Sequence, residues 1–256
     1  MIDLQLIGIG TGNPDHLTRA AERAMQAADL ILLPRKRADT ADLLDLRQAL
    51  CTAVAVPGTR IATFDLPERD AAGPYEAGVT AWHDAIAAAW ARAIATHLPH
   101  GGRLALLVWG DPSLYDSSLR IVERLRAGGM AMRVGVVPGI TSLQALTAAH
   151  AIPLNTVGAP VTITTGRRLR ACGWPEGTDT LAVMLDGDCA FTTLDPAGVT
   201  IWWGAYLGMA QQALLAGPLA ATGPRIVATR AALRADHGWI MDTYLLRRTR
   251  MDPISC

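Results

Sequence analysis

The chain alternates short, continuous apolar runs with longer stretches in which apolar residues recur every three or four positions. Residues 4–9 form one run; after the turn Gly8-Ile9-Gly10-Thr11-Gly12-Asn13-Pro14, the segment 17–28 puts Leu17, Ala21, Ala24, Met25 and Ala28 on one helical face. Residues 30–33 read as a second buried strand, and Asp39 or Thr40 can cap a helix that reaches residue 50. Pro57, Gly58, Pro67, Gly73 and Pro74 then break the pattern into a long irregular connection, the kind that tends to be functional or mobile. A helix over 76–97 carries Val79, Trp82, Ile86, Trp90 and Ala93 three or four apart and ends at Gly101-Gly102. The next strand, 103–109, contains Leu104-Ala105-Leu106-Leu107-Val108, too continuous for a sheet wetted on one face, so helices must cover both. A helix over 117–127, a strand over 133–137 and a helix over 141–150 continue the alternation, which predicts a parallel sheet.

The second half has a different texture. Strands are predicted over 161–165, 180–185, 200–205 and 225–229, with glycine-containing breaks and short helical pieces between them, which fits a mixed sheet. The fold class is therefore α/β in two domains: residues 1–137, a mainly parallel sheet with helices on both faces, and 138–256, built on a mixed sheet. A length of 256 residues accommodates both.

Composition narrows the partners. Twenty-three basic and 23 acidic residues cancel, which removes the long-range field of a nucleic-acid or anionic-membrane binder. Yet Lys36 is the only lysine among the basic residues. GC-rich codon usage accounts for such a bias, and some of these rigid guanidinium forks are also suited to carboxylates or phosphates. Cys51, Cys172, Cys189 and Cys256 show no C-x-x-C pair or metal-ligand spacing, so neither disulfides nor a metal is expected. The absence of a signal-peptide pattern and of any 18-residue apolar run leads to the expectation of a soluble, cytoplasmic protein.

Three strand ends carry candidate chemistry. The first Gly cluster sits where a dinucleotide fingerprint would, but its third glycine is one residue early for G-x-G-x-x-G and Pro14 removes a donor. It is either a Rossmann-type cofactor turn or a tight turn with another role, and without Gly-Lys-Ser/Thr it is no P-loop. Trp109-Gly110-Asp111-Pro112-Ser113-Leu114-Tyr115 and Val136-Val137-Pro138-Gly139-Ile140-Thr141-Ser142 lie at the carboxyl ends of predicted parallel strands, where open α/β sheets bind ligands. Each is equally readable as turn and helix cap.

In this order and spacing, the opening 6–18, Gly110-Asp111-Pro112, Pro138-Gly139-Ile140-Thr141-Ser142 and Ala151-Ile152-Pro153-Leu154 resemble the S-adenosylmethionine-dependent tetrapyrrole (corrin and porphyrin precursor) methyltransferases. The resemblance spans nearly the whole chain. It implies two α/β domains with the cofactor in the cleft between them, a homodimer, and a first Gly cluster that forms a loop at the mouth of the tetrapyrrole cleft. Matched residue by residue, it implies cofactor contacts at Pro14, at Gly110, Asp111 and Leu114, and at Thr141 and Ser142, with Leu185 and Tyr206 as weaker correspondences. Trp109 departs from the pattern, since some members have glycine there.

Finer likeness lies in Leu33-Pro34-Arg35-Lys36, in residues 184–191 and 203–208, and in Ala228-Thr229-Arg230 followed by 238–244. It points to the branch of the family that methylates precorrin-5, a ring-contracted tetrapyrrole, at a carbon carrying an acetyl group, with release of acetate; handover of product to the next pathway enzyme is left open by the sequence. Such a reaction calls for a base to activate water and for donors to a developing oxyanion. Asp186 is the first choice as base, although Asp186-Gly187-Asp188 reads equally as a turn, and Tyr115 and Tyr206 are the donors. His237 reads as a helix-end residue. For the substrate's carboxylates the candidates are Arg35 and Lys36 after the second strand and Arg167 and Arg168 after the first strand of the second half; Arg247-Arg248-x-Arg250 looks like a solvated tail. The competing readings are a methyltransferase acting at another ring carbon, a nicotinamide-dependent oxidoreductase and a non-catalytic tetrapyrrole carrier.

Overall fold

A computed structural model of the 256-residue chain describes residues 1–35, 41–54, 56–69 and 75–249. The chain divides after Thr141 into two compact units, Met1–Thr141 and Ser142–Cys256. The domain end expected at 137 coincides with the last residue of a strand, Met132–Val137.

The first unit is built on five parallel strands: β1 (Ile2–Gly8), β2 (Leu30–Arg35), β3 (Arg60–Asp65), β4 (Gly102–Val108) and β5 (Met132–Val137). Their order is β3-β2-β4-β1-β5, so β1 lies between β4 and β5, with Gly8 opposite Val108 and Ile7 opposite Val137. Alternate side chains leave opposite faces of a strand, and here both faces are apolar. Leu4, Leu6, Leu30, Leu32, Leu104 and Leu106 pack under α3 (Tyr75–His97) and α4 (Ser118–Ala127), against Ile86, Trp90, Ile94, Ile121 and Leu125. Ile7, Ile31, Leu33, Ala105 and Leu107 pack on the other face against Met25 of α1 (Arg19–Gln26) and Cys51 of α2 (Ala41–Val54). That double burial is why the strands read as unbroken apolar runs. One correction belongs here: the stretch read as irregular contains β3, a sheet-edge strand whose pairing partner, β2, supplies the order that its own polar pattern does not.

The second unit is a mixed sheet of β6 (Val161–Thr165), β7 (Thr180–Met184), β8 (Val199–Ala205), β9 (Ala213–Pro218) and β10 (Asp242–Arg248), ordered β6-β7-β10-β8-β9. Only β6 and β7 pair in parallel; β10 runs antiparallel between β7 and β8. α5 (Ser142–His150) and α7 (Leu219–His237) both pack on this sheet, and α6 (Gly166–Cys172) follows β6 directly. Two expectations fail. Residues 225–229, expected as a strand, lie inside α7, whose buried face is Leu219, Thr222, Gly223 and Ile226, spaced three and four apart. The Arg247-Arg248 pair is no solvated tail within the described residues: both lie in β10, Arg247 donates to the Pro153 and Leu154 carbonyls, and Arg248 stacks on Trp174 with its guanidinium 4.1 Å from the ring centroid. Arg250 lies outside the described residues.

Candidate active site

In the first unit the loops after β1, β4 and β5 close on one another through their backbones. Gly10 and Gly110 exchange hydrogen bonds, with Gly110 N–H donating to the Gly10 carbonyl at 2.8 Å and Gly10 N–H to the Gly110 carbonyl at 3.3 Å. A Cβ on Gly8 would lie 2.6 Å from Gly139 N and 2.8 Å from the Gly110 carbonyl oxygen, so only glycine permits this approach. The Gly10 amide is thus already committed, and the first Gly cluster is a turn locked to its neighbour, which removes the basis for a pyrophosphate-cradling reading.

Asp111 is the staple. Its Oδ2 accepts from Gly139 N–H at 2.8 Å, and its Oδ1 accepts from both the N–H and the hydroxyl of Ser113. Burial pushes the carboxyl up, but the Ser113 and Gly139 hydrogen bonds outweigh it and hold Asp111 below the usual carboxylate range. Thr141 is buried, and its Cα lies 3.9 Å from where a Gly110 side chain would begin. The structure therefore brings Gly110, Asp111 and Thr141 together, with Leu114 in the turn closed by its N–H to the Asp111 carbonyl. Ser142 opens α5, half-buried. Pro14 lies exposed at the start of a short 3-10 helix, Pro14–His16. Tyr115 follows with a φ of 50° and an exposed side chain.

In the second unit the turn after β7 rests on buried polar groups. Leu185 has a φ of 52° and is 65% exposed, an apolar side chain held outward on a left-handed backbone. Next to it Asp186 is buried: Oδ2 accepts from the Tyr244 hydroxyl and from Ala190 N–H, both at 2.6 Å, and Oδ1 accepts from Asp188 N–H at 3.1 Å. Arg230 donates to the Asp186 carbonyl at 3.0 Å and pairs with Asp242, whose Oδ2 also accepts from Trp203 Nε1. Burial raises the Asp242 carboxyl despite Arg230 and Trp203. It also raises the Tyr244 hydroxyl, reinforced by the facing Asp186 carboxylate. Tyr206, with a φ of 49°, is buried; its hydroxyl donates to the Trp239 carbonyl at 2.5 Å and its ring meets Trp239 and His237 edge-on. Sequence spacing gave no sign of this network, because Arg230 and Tyr244 stand 44 and 58 residues from Asp186.

Among the described residues, positive φ outside glycine occurs at Tyr115, Ala151, Leu185, Cys189 and Tyr206. Three of the five are site candidates, and strain of this kind persists where the surroundings over-determine the backbone. The candidate cations fall in both units. Arg35 pairs with Asp65 on the surface at 2.7 Å, Arg167 and Arg168 are exposed in the first turn of α6, and Lys36 lies outside the described residues.

A model of the tetrapyrrole (corrin/porphyrin) methylases matches residues 3–222. The chain belongs to this family. Precorrin-6A synthase (deacetylating) from Sinorhizobium sp is 46% identical over 251 residues, covering 97% of this chain and 96% of the relative. The crystal structure of a putative cobalamin synthesis related protein (CobF) from Corynebacterium diphtheriae superposes with a TM-score of 0.84 at 40% identity, over 98% of this methylase and all of that chain. A uroporphyrin-III C-methyltransferase from Thermus thermophilus, solved with S-adenyl homocysteine, shares the fold at a TM-score of 0.59 and 20% identity, over 96% of this chain and 97% of that one. The loops of the methylase suit a zwitterionic nucleoside better than a pyrophosphate: residues 8–15, 109–117 and 138–142 contain no lysine or arginine and offer main-chain groups, hydroxyls and the apolar Leu114. Among the described residues no His, Cys, Asp and Glu cluster is arranged to hold a metal, and no helix is long and apolar enough to cross a membrane.

Proposed function

We propose that this methylase transfers a methyl group from S-adenosylmethionine to C1 of precorrin-5 and releases acetate, giving precorrin-6A in cobalamin biosynthesis. The observation that carries the reading is the 46% identity, over nearly the full length of both chains, to the Sinorhizobium precorrin-6A synthase (deacetylating). Pro14, Gly110, Asp111, Leu114, Thr141, Ser142 and Leu185 are the proposed cofactor contacts. When bound, the sulfonium supplies an electrophilic methyl group for in-line displacement by carbon; the residues above contribute alignment.

The carbon nucleophile comes from the acetyl group in this proposal. Water adds to the acetyl carbonyl, the carbon–carbon bond breaks, acetate departs, and the electron pair stays on the conjugated macrocycle as an enamine-like carbon that takes the methyl group. Asp186 is the proposed base. Its Oδ2 is fixed by Tyr244 and Ala190, whereas Oδ1 holds only the longer bond from Asp188 and faces Gly166, where a side-chain Cβ would come within 2.5 Å of the Asp186 Cβ. Glycine at 166 is what leaves room for this carboxylate. Tyr115, whose side chain is exposed, is the proposed donor to the developing oxyanion; Tyr206 donates its hydroxyl to the Trp239 carbonyl and its N–H to the Met241 carbonyl, so it is proposed to shape the turn instead of serving as a second donor. Arg35, Arg167 and Arg168 are proposed to meet substrate carboxylates, with Lys36 next to Arg35 in the chain. The Arg35–Asp65 pair is exposed on both sides, so it exchanges partners at little cost. The working form is proposed as a cytoplasmic homodimer, as in the family resemblance, that hands its product to the next pathway enzyme.

The test is a turnover with precorrin-5 and methyl-labelled S-adenosylmethionine, read by mass spectrometry and acetate assay. One label gained with one equivalent of acetate is the expected result. Label gained without acetate would transfer the activity to another ring carbon, and no label at all would leave a carrier. A burst of acetate without the methyl donor supports deacetylation first; strict donor dependence refutes that order.

A further inference from the structure

The first unit contains a partly open cavity of about 190 Å³ under the carboxyl ends of β2, β3 and β4, bordered by α2, α3 and α4. Phe64, Trp82, Trp90 and Trp109 contribute to its walls, and the cation among its lining residues is held by neutral groups. The half-buried Arg47 guanidinium lines it, donating to the Leu107 and Leu43 carbonyls at 3.4 and 3.3 Å; among the described residues no carboxylate is at ion-pair distance, and Asp116 on the same wall acts on it through its charge. A guanidinium held on neutral carbonyls keeps most of its affinity for an anion.

We propose that this cavity binds a small aliphatic carboxylate, paired with Arg47 and flanked by the tryptophan walls. The volume suits a small group, since pockets for drug-sized molecules run to roughly 300–1,000 Å³. An acetate or propionate group fits. Two sources share that chemistry: an acidic side arm of the tetrapyrrole, and the acetate released in turnover. The segment from Trp109 to Ser118 connects the cavity to the reaction, since it forms one wall and also carries Gly110, Asp111 and Leu114. Asp116 lies on the same wall, its Oδ1 engaged by Ser118 N–H at 2.7 Å, and its negative charge opposes the ligand. The two charged residues therefore give effects of opposite sign. This assignment of a ligand to the cavity takes the proposed reaction as its setting, but its binding test does not depend on turnover.

The test titrates the full chain with sodium acetate and sodium propionate by ligand-observed NMR and calorimetry, with propylammonium chloride as the cationic control. The carboxylates bind and the ammonium does not; Arg47→Gln weakens propionate by about tenfold or more, the scale of a lost charge-assisted contact. Asp116→Asn leaves binding unchanged or tightens it. Carboxylates that fail to bind wild type, bind Arg47→Gln equally, or are lost in Asp116→Asn overturn the proposal, and the wild-type comparison decides even if a variant misfolds. Turnover with precorrin-5 then separates the sources. A KM raised by Arg47→Gln with kcat kept assigns the cavity to a substrate arm, whereas an unchanged KM with weakened product inhibition by acetate assigns it to the released acetate. A wild type that makes no methylated product refutes the proposed function while the titrations still answer for the cavity.

Discussion

Tyr244→Phe isolates the buried hydrogen bond beneath the Leu185 turn. The substitution keeps the ring, which meets Phe191 edge-on at 5.2 Å and 88°, and removes only the hydroxyl that donates to Asp186 Oδ2 at 2.6 Å. Asp186 keeps Ala190 N–H and Asp188 N–H, so the buried carboxylate goes from three donors to two. A hydrogen bond to a charged group contributes about 1.5–3 kcal/mol, and a loss of about 2 kcal/mol is expected. For a chain of this length that is a fall of roughly 4–8 °C in Tm. Urea unfolding followed by tryptophan fluorescence, with a thermal melt beside it, measures the loss. Titration of S-adenosylhomocysteine reads whether the turn also holds the cofactor, and an affinity lowered several-fold is expected. A variant within about 0.5 kcal/mol of wild type would refute the reasoning, since that is the scatter of surface substitutions and would mean that Asp186 does not depend on this donor.

Other outcomes follow from the same geometry. Gly139→Ala drives a methyl group into the Gly110 carbonyl and the Gly8 backbone, and should cost about 1–3 kcal/mol in a denaturant melt and weaken S-adenosylhomocysteine binding. Asp111 is held below its ordinary value in the folded chain, so its contribution is present above the unfolded carboxylate value and is lost as pH falls through the folded one. The stability gap between wild type and Asp111→Asn should therefore narrow on acidification below about pH 4, measured by melts across a pH series; a constant gap would count against the staple. Arg230→Met strands the buried Asp242 carboxylate and should cost about 3–5 kcal/mol by urea melt. Asp65→Ala, which breaks the exposed Arg35 pair, should cost less than about 1 kcal/mol in the same assay.

The sequence by itself determined what is local. Continuous apolar runs over 4–9, 30–33 and 104–108 required a parallel sheet covered on both faces, and the glycine turns at their ends marked where loops would gather. The spacing of Leu219, Thr222, Gly223 and Ile226 was also there to be read, and the strand expected over 225–229 fails because local propensity over five residues is a weak guide beside packing. Tertiary structure decided the rest. β3 and β10 have polar ends and become strands through the neighbours that pair with them. Asp186 acquires its surroundings from Tyr244 and Arg230, Arg247 becomes a frame residue on the Pro153 and Leu154 carbonyls, and Arg47 reaches a cavity bordered by helices far along the chain. The physical reason is common to all of them: side-chain hydrogen bonds and burial depend on distances through space, and the sequence prints only distances along the chain.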